Sequence, residues 1–292
     1  MPFSILTPLI VATALFMENL DGTVLATALP AMAVDLNEDP VALKLALTSY
    51  LLALAVFIPL SGWAADKFGS RKVFRAAILV FTLGSILCGL STTLLDVVLS
   101  RVAQGLGGAM MVPVGRLVIL RTAPRAELVR ALAWLTIPAL VGPLIGPPLG
   151  GFIATYFHWR YIFWINVPIG ALGVLLTSRY IPDLREEDVG PLDVRGAMLS
   201  GLGLSCLVFG PSTVGRGFAP PLVVAGLIIV GAGAIFAYVR HARGAPAPIL
   251  DPRGRLGGVN SREDELAPFS MPPEKGVFFG GQRRAASDAV SV

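Results

Sequence analysis

The chain has 292 residues, of which 54% are hydrophobic and 14% charged, with a mean hydropathy of +0.74 and a formal net charge of +4. That balance excludes a water-soluble globular domain. The basic residues are dispersed over short connections rather than gathered on one face, which leaves a nucleic-acid-binding reading without support.

Apolar segments of about 20 residues, enough to cross a hydrocarbon core of roughly 30 Å as a helix, recur eight times: about 5 to 28, 42 to 62, 74 to 94, 97 to 119, 130 to 153, 161 to 181, 195 to 212 and 220 to 239. The pattern predicts an all-α integral membrane protein embedded in the lipid bilayer. The first run has no basic n-region and outlasts an ordinary signal-peptide core, so it reads as a retained span. The seventh, GAMLSGLGLSCLVFG, is short and rich in glycine. Lys67, Arg71, Lys72 and Arg75 lie between spans two and three, Arg116, Arg121, Arg125 and Arg130 between four and five, and Arg179, Arg185 and Arg195 between six and seven. The alternate connections hold only Lys44, Arg160 and Arg216. By the positive-inside rule the first group is expected in the cytoplasm, and both termini with it. From about Pro252 the sequence turns to glycine, proline and mixed charge without a period, and a disordered tail is expected. Cys88 and Cys206 fall inside spans as small packing residues, with neither metal-ligand spacing nor a disulfide framework. His158 and His241 sit at span ends without a ligand set, and no GxSxG motif occurs, so the expectation is no metal, no cofactor and no enzymatic activity.

Four stretches carry chemistry. In the first span, FMENLDGTVLATALP sets Glu18 and Asp21 three residues apart on nearly one helix face. An ionised carboxylate at mid-bilayer costs roughly 2.5 to 3.5 kcal/mol on insertion scales, so neither can face lipid. Either the two bind protons in a hydrated cavity as part of transport, or they only hydrogen-bond to a neighbouring helix. Pro30 is expected at the outer end of this span, where a missing donor is harmless. In SGWAADKFGSRKVF, Gly62 would permit close helix approach, Asp66 would meet Arg71 or the start of the next helix, and Gly69 would make a turn. In SRVAQGLGGAMMVPVGR, Arg101 stands about one turn inside the membrane, either snorkelling outward or partnering a carboxylate, while Gln104, Gly105, Gly107, Gly108 and Ala109 form a surface for tight helix contact. In IPALVGPLIGPPLGGFI, Pro138, Pro143, Pro147 and Pro148 kink one span, and Gly142, Gly146, Gly150 and Gly151 are expected to make one flat face, the pattern of a hinge against another rigid unit.

Together these stretches resemble the major facilitator superfamily, in particular its fourteen-helix drug:proton antiporter subgroup. LDGTVLATALP resembles LDxTVxNxALP, GWAADKFGSRK resembles GxLADRxGxRK, RVAQGLGGA resembles RxxQGxGxA, and LVGPLIGPPLGG is similar to GPxxGPxxGG. WRYIFWINVPIG, at the start of the sixth span, is also typical of the subgroup. Ala26, Ala64 and Lys67 depart mildly, standing where the patterns have Asn, Leu and Arg. The resemblance implies that Asp21, with Glu18 beside it, takes part in proton coupling and that Arg101 assists proton movement. It also implies that Gly62, Asp66, Gly69 and Arg71 form a conformational latch, and that Gly142, Pro143, Gly146, Pro147, Gly150 and Gly151 form an antiporter hinge closing the central cavity.

The expected organisation is a six-helix N-terminal half of a major facilitator fold over 1–181, a cytoplasmic linker over 182–194, one additional transmembrane pair over 195–240 and a tail over 241–292. PAPILDPR, at 246–253, resembles the junction before a ninth span, after which the family's second half is missing, as a truncation or frameshift would leave it. The expected function is proton-coupled efflux of small amphipathic molecules across the inner, cell membrane, with a separate C-terminal half or a homodimer supplying the second wall. The competing reading is a non-transporting membrane fragment that acts as an interaction partner or is a degraded gene product.

Overall fold

Proline and capping residues set where several of the apolar runs become helices. The computed structural model describes residues 5–186, 189–212 and 220–245, and among these all regular structure is helical. Helix α1 (Leu6–Leu36) continues past Pro30 to a left-handed Asn37, φ 52°, whose N–H bonds the carbonyls of Ala33 and Val34. Pro30 therefore does not end the span as expected. Ala28, Leu29, Met32 and Ala33, on either side of it, are buried in one apolar cluster, and this packing outweighs the single missing donor.

Helix α2 (Pro40–Phe57) starts on Asp39, whose carboxylate accepts the Val41 N–H at 2.6 Å, with proline at the first helical position. The second predicted span is split, because Pro59 has no N–H to carry the ladder; α3 (Leu60–Phe68) starts after it. Gly69, at φ +95°, turns the chain into α4 (Ser70–Leu90). Helix α5 (Leu94–Thr122) opens on a reciprocal capping box between Thr93 and Asp96. A short turn, Arg125–Glu127, precedes α6 (Leu128–Tyr156), and the sixth span is made of α7 (Tyr161–Trp164) and α8 (Asn166–Tyr180). The last two described helices are α9 (Val194–Ser212) and α10 (Pro221–Gly244). Helix α10 runs beyond the expected end, taking in residues 241–244 that the sequence reading gave to the tail. A 2.8 Å contact between His241 Nε2 and Asp193 Oδ1 fastens that end to the start of α9. The predicted tail from 246 onward lies outside the described residues. Among the described residues, eight helical segments are long and apolar enough to cross a membrane, one for each predicted span.

Helix α1 packs along α6, α5 lies between α4 and α2, α8 covers α4, and the α9–α10 pair rests on α2. Asn19, Thr23 and Thr27 recur every four residues on α1 and meet Gly142, Gly146 and Gly150 of α6 in register. A Cβ on Gly142 would stand 3.0 Å from Asn19 Cβ, and one on Gly146 or Gly150 would overlap the Thr23 or Thr27 hydroxyl. Gly151 is not part of this face: it is one residue further round the helix and a Cβ there meets nothing within 4 Å. Pro143, Pro147 and Pro148 are exposed on the side of α6 turned away from α1.

Two apolar clusters fill the bundle. One gathers Val11, Phe74, Phe81, Met111 and Ile119; the other gathers Leu25, Met32, Leu43, Val97 and Phe163. On α1 the first reaches Met17 and the second begins at Leu20, so the level of Asp21 is the seam between them. We predict that Gly146→Leu, which drives a side chain into Thr23, costs about 1–3 kcal/mol or more in detergent unfolding experiments, while Gly151→Leu stays within roughly 0.5 kcal/mol of the parent.

Candidate functional site

At that seam a carboxylate is enclosed by protein on every side. Asp21 is 2% exposed, Arg101 and Gln104 0%, and Asn166 1%. Asp21 Oδ2 accepts a short hydrogen bond from Arg101 Nη1. Asp21 Oδ1 accepts from Gln104 Nε2 at 3.0 Å and from Asn166 Nδ2 at 2.9 Å. Arg101 Nη1 also donates to Gln104 Oε1 at 2.8 Å, and its Nε reaches the Ala46 carbonyl of α2 at 3.4 Å. The guanidinium carbon lies 4.3 Å from the centroid of the Tyr50 ring, a cation–π contact. Asn166 donates as well to Ser85 Oγ at 2.9 Å, and Ser85 donates to the Phe163 carbonyl at 2.9 Å. One charge pair thus ties α1, α2, α4, α5 and the α7–α8 segment together.

Local sequence explains the positions. Arg101 and Gln104 are three apart on α5 and project from one face. Gly105 lets that face close on α2, since a Cβ there would fall 2.6 Å from Ala53 Cβ and 2.8 Å from the Tyr50 carbonyl. Gly108 leaves room for the Tyr50 hydroxyl and the Glu18 carboxylate, 3.0 and 3.5 Å from where its Cβ would be. Arg101 does not snorkel: the snorkelling alternative fails because a carboxylate waits at the seam, where pairing satisfies the charge better than stretching to the interface. Gln104, expected as packing, is a hydrogen-bonding member of the network. Tyr50, Ser85 and Asn166 were not singled out in the sequence; the signal was a lone amide in the apolar run FWINVPIG, and for Tyr50 and Ser85 there was none.

A pocket of about 470 Å³ adjoins the network, lined by Gly22, Leu29, Lys44, Leu47, Thr48, Tyr50, Leu51 and Arg101. Among the described residues no cluster of metal-ligating side chains occurs.

The loop motif builds a second polar site at the end of the bundle carrying Asp66. Asp66 does not pair with Arg71. It pairs with Arg121 of α5 at 2.8 Å, and Arg121 also meets Glu186 at 3.1 Å, while Arg71 and Lys72 lie 3.9 and 4.0 Å from Asp183. The segment after α8 is therefore laid across the α3–α4 turn. Ser70 N–H donates to the Leu184 carbonyl at 2.8 Å, Leu184 N–H to Ser70 Oγ at 3.3 Å, and Trp63 Nε1 to the Gly190 carbonyl at 3.2 Å. Gly69 is required twice, by its positive φ and because Asp183 occupies the place of a Cβ. Gly62, expected to allow helix contact, has nothing within 4 Å of a would-be Cβ. At the opposite end, Asp35 accepts from Arg160 Nη1 at 2.7 Å and Trp159 Nε1 at 3.0 Å, and Arg160 Nη2 donates to the Ser91 carbonyl at 2.9 Å.

The family profile described as Major Facilitator Superfamily matches residues 11–242. The chain belongs to that superfamily. Its relatives include proteins carrying the name multidrug resistance protein MdtD. The one from Yersinia enterocolitica is 40% identical over 274 residues, 90% of this chain and 58% of its own length. One from Escherichia coli is 44% identical over 235 residues, 80% of this chain and 50% of its own length. This chain thus spans little more than half the length of these relatives. Among solved structures, the human organic anion transporter MFSD10 superposes with a TM-score of 0.54 at 19% identity, covering 76% of this chain and 58% of that one, a likeness of fold.

Asn166→Ala would leave Ser85 Oγ without its donor and Asp21 Oδ1 with Gln104 alone. The expected loss is about 1–3 kcal/mol of stability, measured by thermal unfolding in detergent. Asp183→Asn, at a half-exposed pair, should change stability by no more than about 1 kcal/mol while speeding amide exchange at Leu184.

Proposed function

We propose that this chain forms the N-terminal six-helix half, with one additional helix pair, of a proton-coupled exporter of amphipathic small molecules in the cell membrane, both termini facing the cytoplasm. The observation that carries the reading is the Asp21–Arg101 pair, fully enclosed at the seam of a multi-pass bundle. A charge pair held inside a membrane-spanning bundle costs desolvation, and ionisable groups at such a place mark ion pathways and proton relays. The names of the multidrug relatives supply the substrate class, and the arginines and lysines of the α3–α4, α5–α6 and α8–α9 connections supply the orientation. The pocket between α1, α2 and α5, mostly apolar with Lys44 and Arg101 in its wall, is one side of the substrate path. Glu18, Asp21 and Arg101 act as the coupling group. The loop with Asp66, Gly69 and Arg71 acts as the latch, and the α1–α6 glycine contact is the element against which the second half moves, a half supplied by a separate chain or a second copy.

A second reading is a membrane-embedded interaction partner without transport of its own. Dye efflux from vesicles driven by an imposed proton gradient separates the two. The exporter reading predicts gradient-dependent efflux that Asp21→Asn abolishes. Efflux indifferent to Asp21→Asn contradicts the coupling role, and folded protein without efflux, alone or with a co-expressed C-terminal half, favours the second reading.

A further inference from the structure

The two carboxylates of α1 are not equivalent, and the difference is one of hydrogen-bonding partners. Every neighbour of the Asp21 oxygens is an N–H donor: Arg101 Nη1, Gln104 Nε2 and Asn166 Nδ2. A proton placed on Asp21 would point at another donor and displace one of these bonds. Glu18 is the opposite case. It forms no ion pair among the described residues, and its Oε2 is buried without a hydrogen-bond partner, as is the Tyr50 hydroxyl facing it across Gly108. A hydroxyl can accept as well as donate, so Glu18 has beside it a group that a protonated carboxyl could bond to, and Asp21 has none.

Position supports the same division. Glu18 lies one helical turn from Gly22 on the same face of α1, and Gly22 and Tyr50 both line the 470 Å³ pocket. Gly22 presents nothing within 4 Å of a would-be Cβ, so the pocket-lining residue one turn from Glu18 puts no side chain between them. The charged and titratable groups around Glu18 are Asp21 on α1, Tyr50 on α2 and, beyond Asp21, Arg101 on α5. Helix α6 supplies none, for it carries no titratable side chain between Arg130 and Tyr156. Arg101 directs Nη1 to Asp21 and Gln104 and lies over the Tyr50 ring, and among the described residues it forms its ion pair with Asp21 and none with Glu18.

We infer that Glu18 is the proton-carrying carboxyl of this bundle, with Tyr50 as the residue that positions its proton, and that Asp21 is the fixed counter-ion of Arg101. This rests on the proton-coupled reading above and refines it. On release the O–H bond of the Glu18 carboxyl breaks, the electron pair stays on the carboxylate oxygen, and the proton passes to cavity water as hydronium; uptake runs the same step in reverse. Asp21 keeps the helices together throughout.

The test needs no transport. An apolar carbodiimide such as dicyclohexylcarbodiimide activates only protonated carboxyls, and the N-acylurea it leaves is located by fragment-ion mass spectrometry on the full chain in lipid vesicles across a pH series. The expected result is adduct on Glu18 at least about tenfold above that on Asp21, falling as pH rises. Glu18→Gln removes it, and Tyr50→Phe moves its pH midpoint. Adduct mainly on Asp21, equal adduct on both, or none on either at any pH overturns the inference. Labelling of Glu18 in a protein that moves no dye would leave the inference standing and sink the exporter reading alone.

Discussion

A charge within a membrane-spanning bundle has to be enclosed by protein, and in this chain the Asp21–Arg101 pair sets what encloses it. Taking two ions out of water costs of order 20 kcal/mol each in the idealised Born limit, and several kcal/mol after relaxation, so attraction alone does not suffice. The remaining donors and acceptors must also be met. Gln104 from α5, Asn166 from α8 and the Ala46 carbonyl from α2 meet all of them but Arg101 Nη2, which has no hydrogen-bond partner among the described residues, and Tyr50 lies against the guanidinium. Because each of these comes from a different stretch of chain, satisfying one pair selects a single mutual arrangement of the helices. The apolar clusters on either side would tolerate many arrangements; the polar seam specifies one.

The rest of the bundle is built to let that seam close. Glycines at 105 and 108 bring α5 near enough to α2 and α1 for the side chains to meet, and the 142, 146 and 150 series does the same for α6 against α1. At the two ends the chain adds polar fastenings of lower worth, exposed enough for water to compete: Asp66 and Arg121 with the strap at 183–186, and Asp35 with Arg160. A rigid buried centre with looser ends suits an element that moves as a body while its periphery remakes contacts.

Much of this was legible in the sequence. Eight apolar runs became eight spans, since length and hydropathy alone set the number of crossings. Asp21 and Arg101 stand out because lipid rejects such residues and Gln104 reads as helix packing, but nothing in linear order shows that residues 80 and 83 positions apart bond. Asn166 and Ser85 were missed because one amide or hydroxyl in an apolar helix is common, and only its partner makes it part of a site. Pro30 was read as an end because local backbone chemistry says so; packing on both sides overrode it. The sequence offers Asp66 either Arg71 or the start of the next helix, whereas Arg121 and the strap supply the contacts from far along the chain. Gly62 reads as a site of close helix approach and Gly151 as part of one glycine face, yet a Cβ at either position meets open space.

The claim that Asp21 and Arg101 form one unit is tested most directly by a double-mutant cycle on unfolding free energy in detergent, using Asp21→Asn, Arg101→Gln and the two together. The account predicts a coupling energy above about 1.5 kcal/mol, with the charge-free double variant more stable than either single one. Single effects that add to within about 0.5 kcal/mol would show two independent side chains, and the pair would no longer explain the fold.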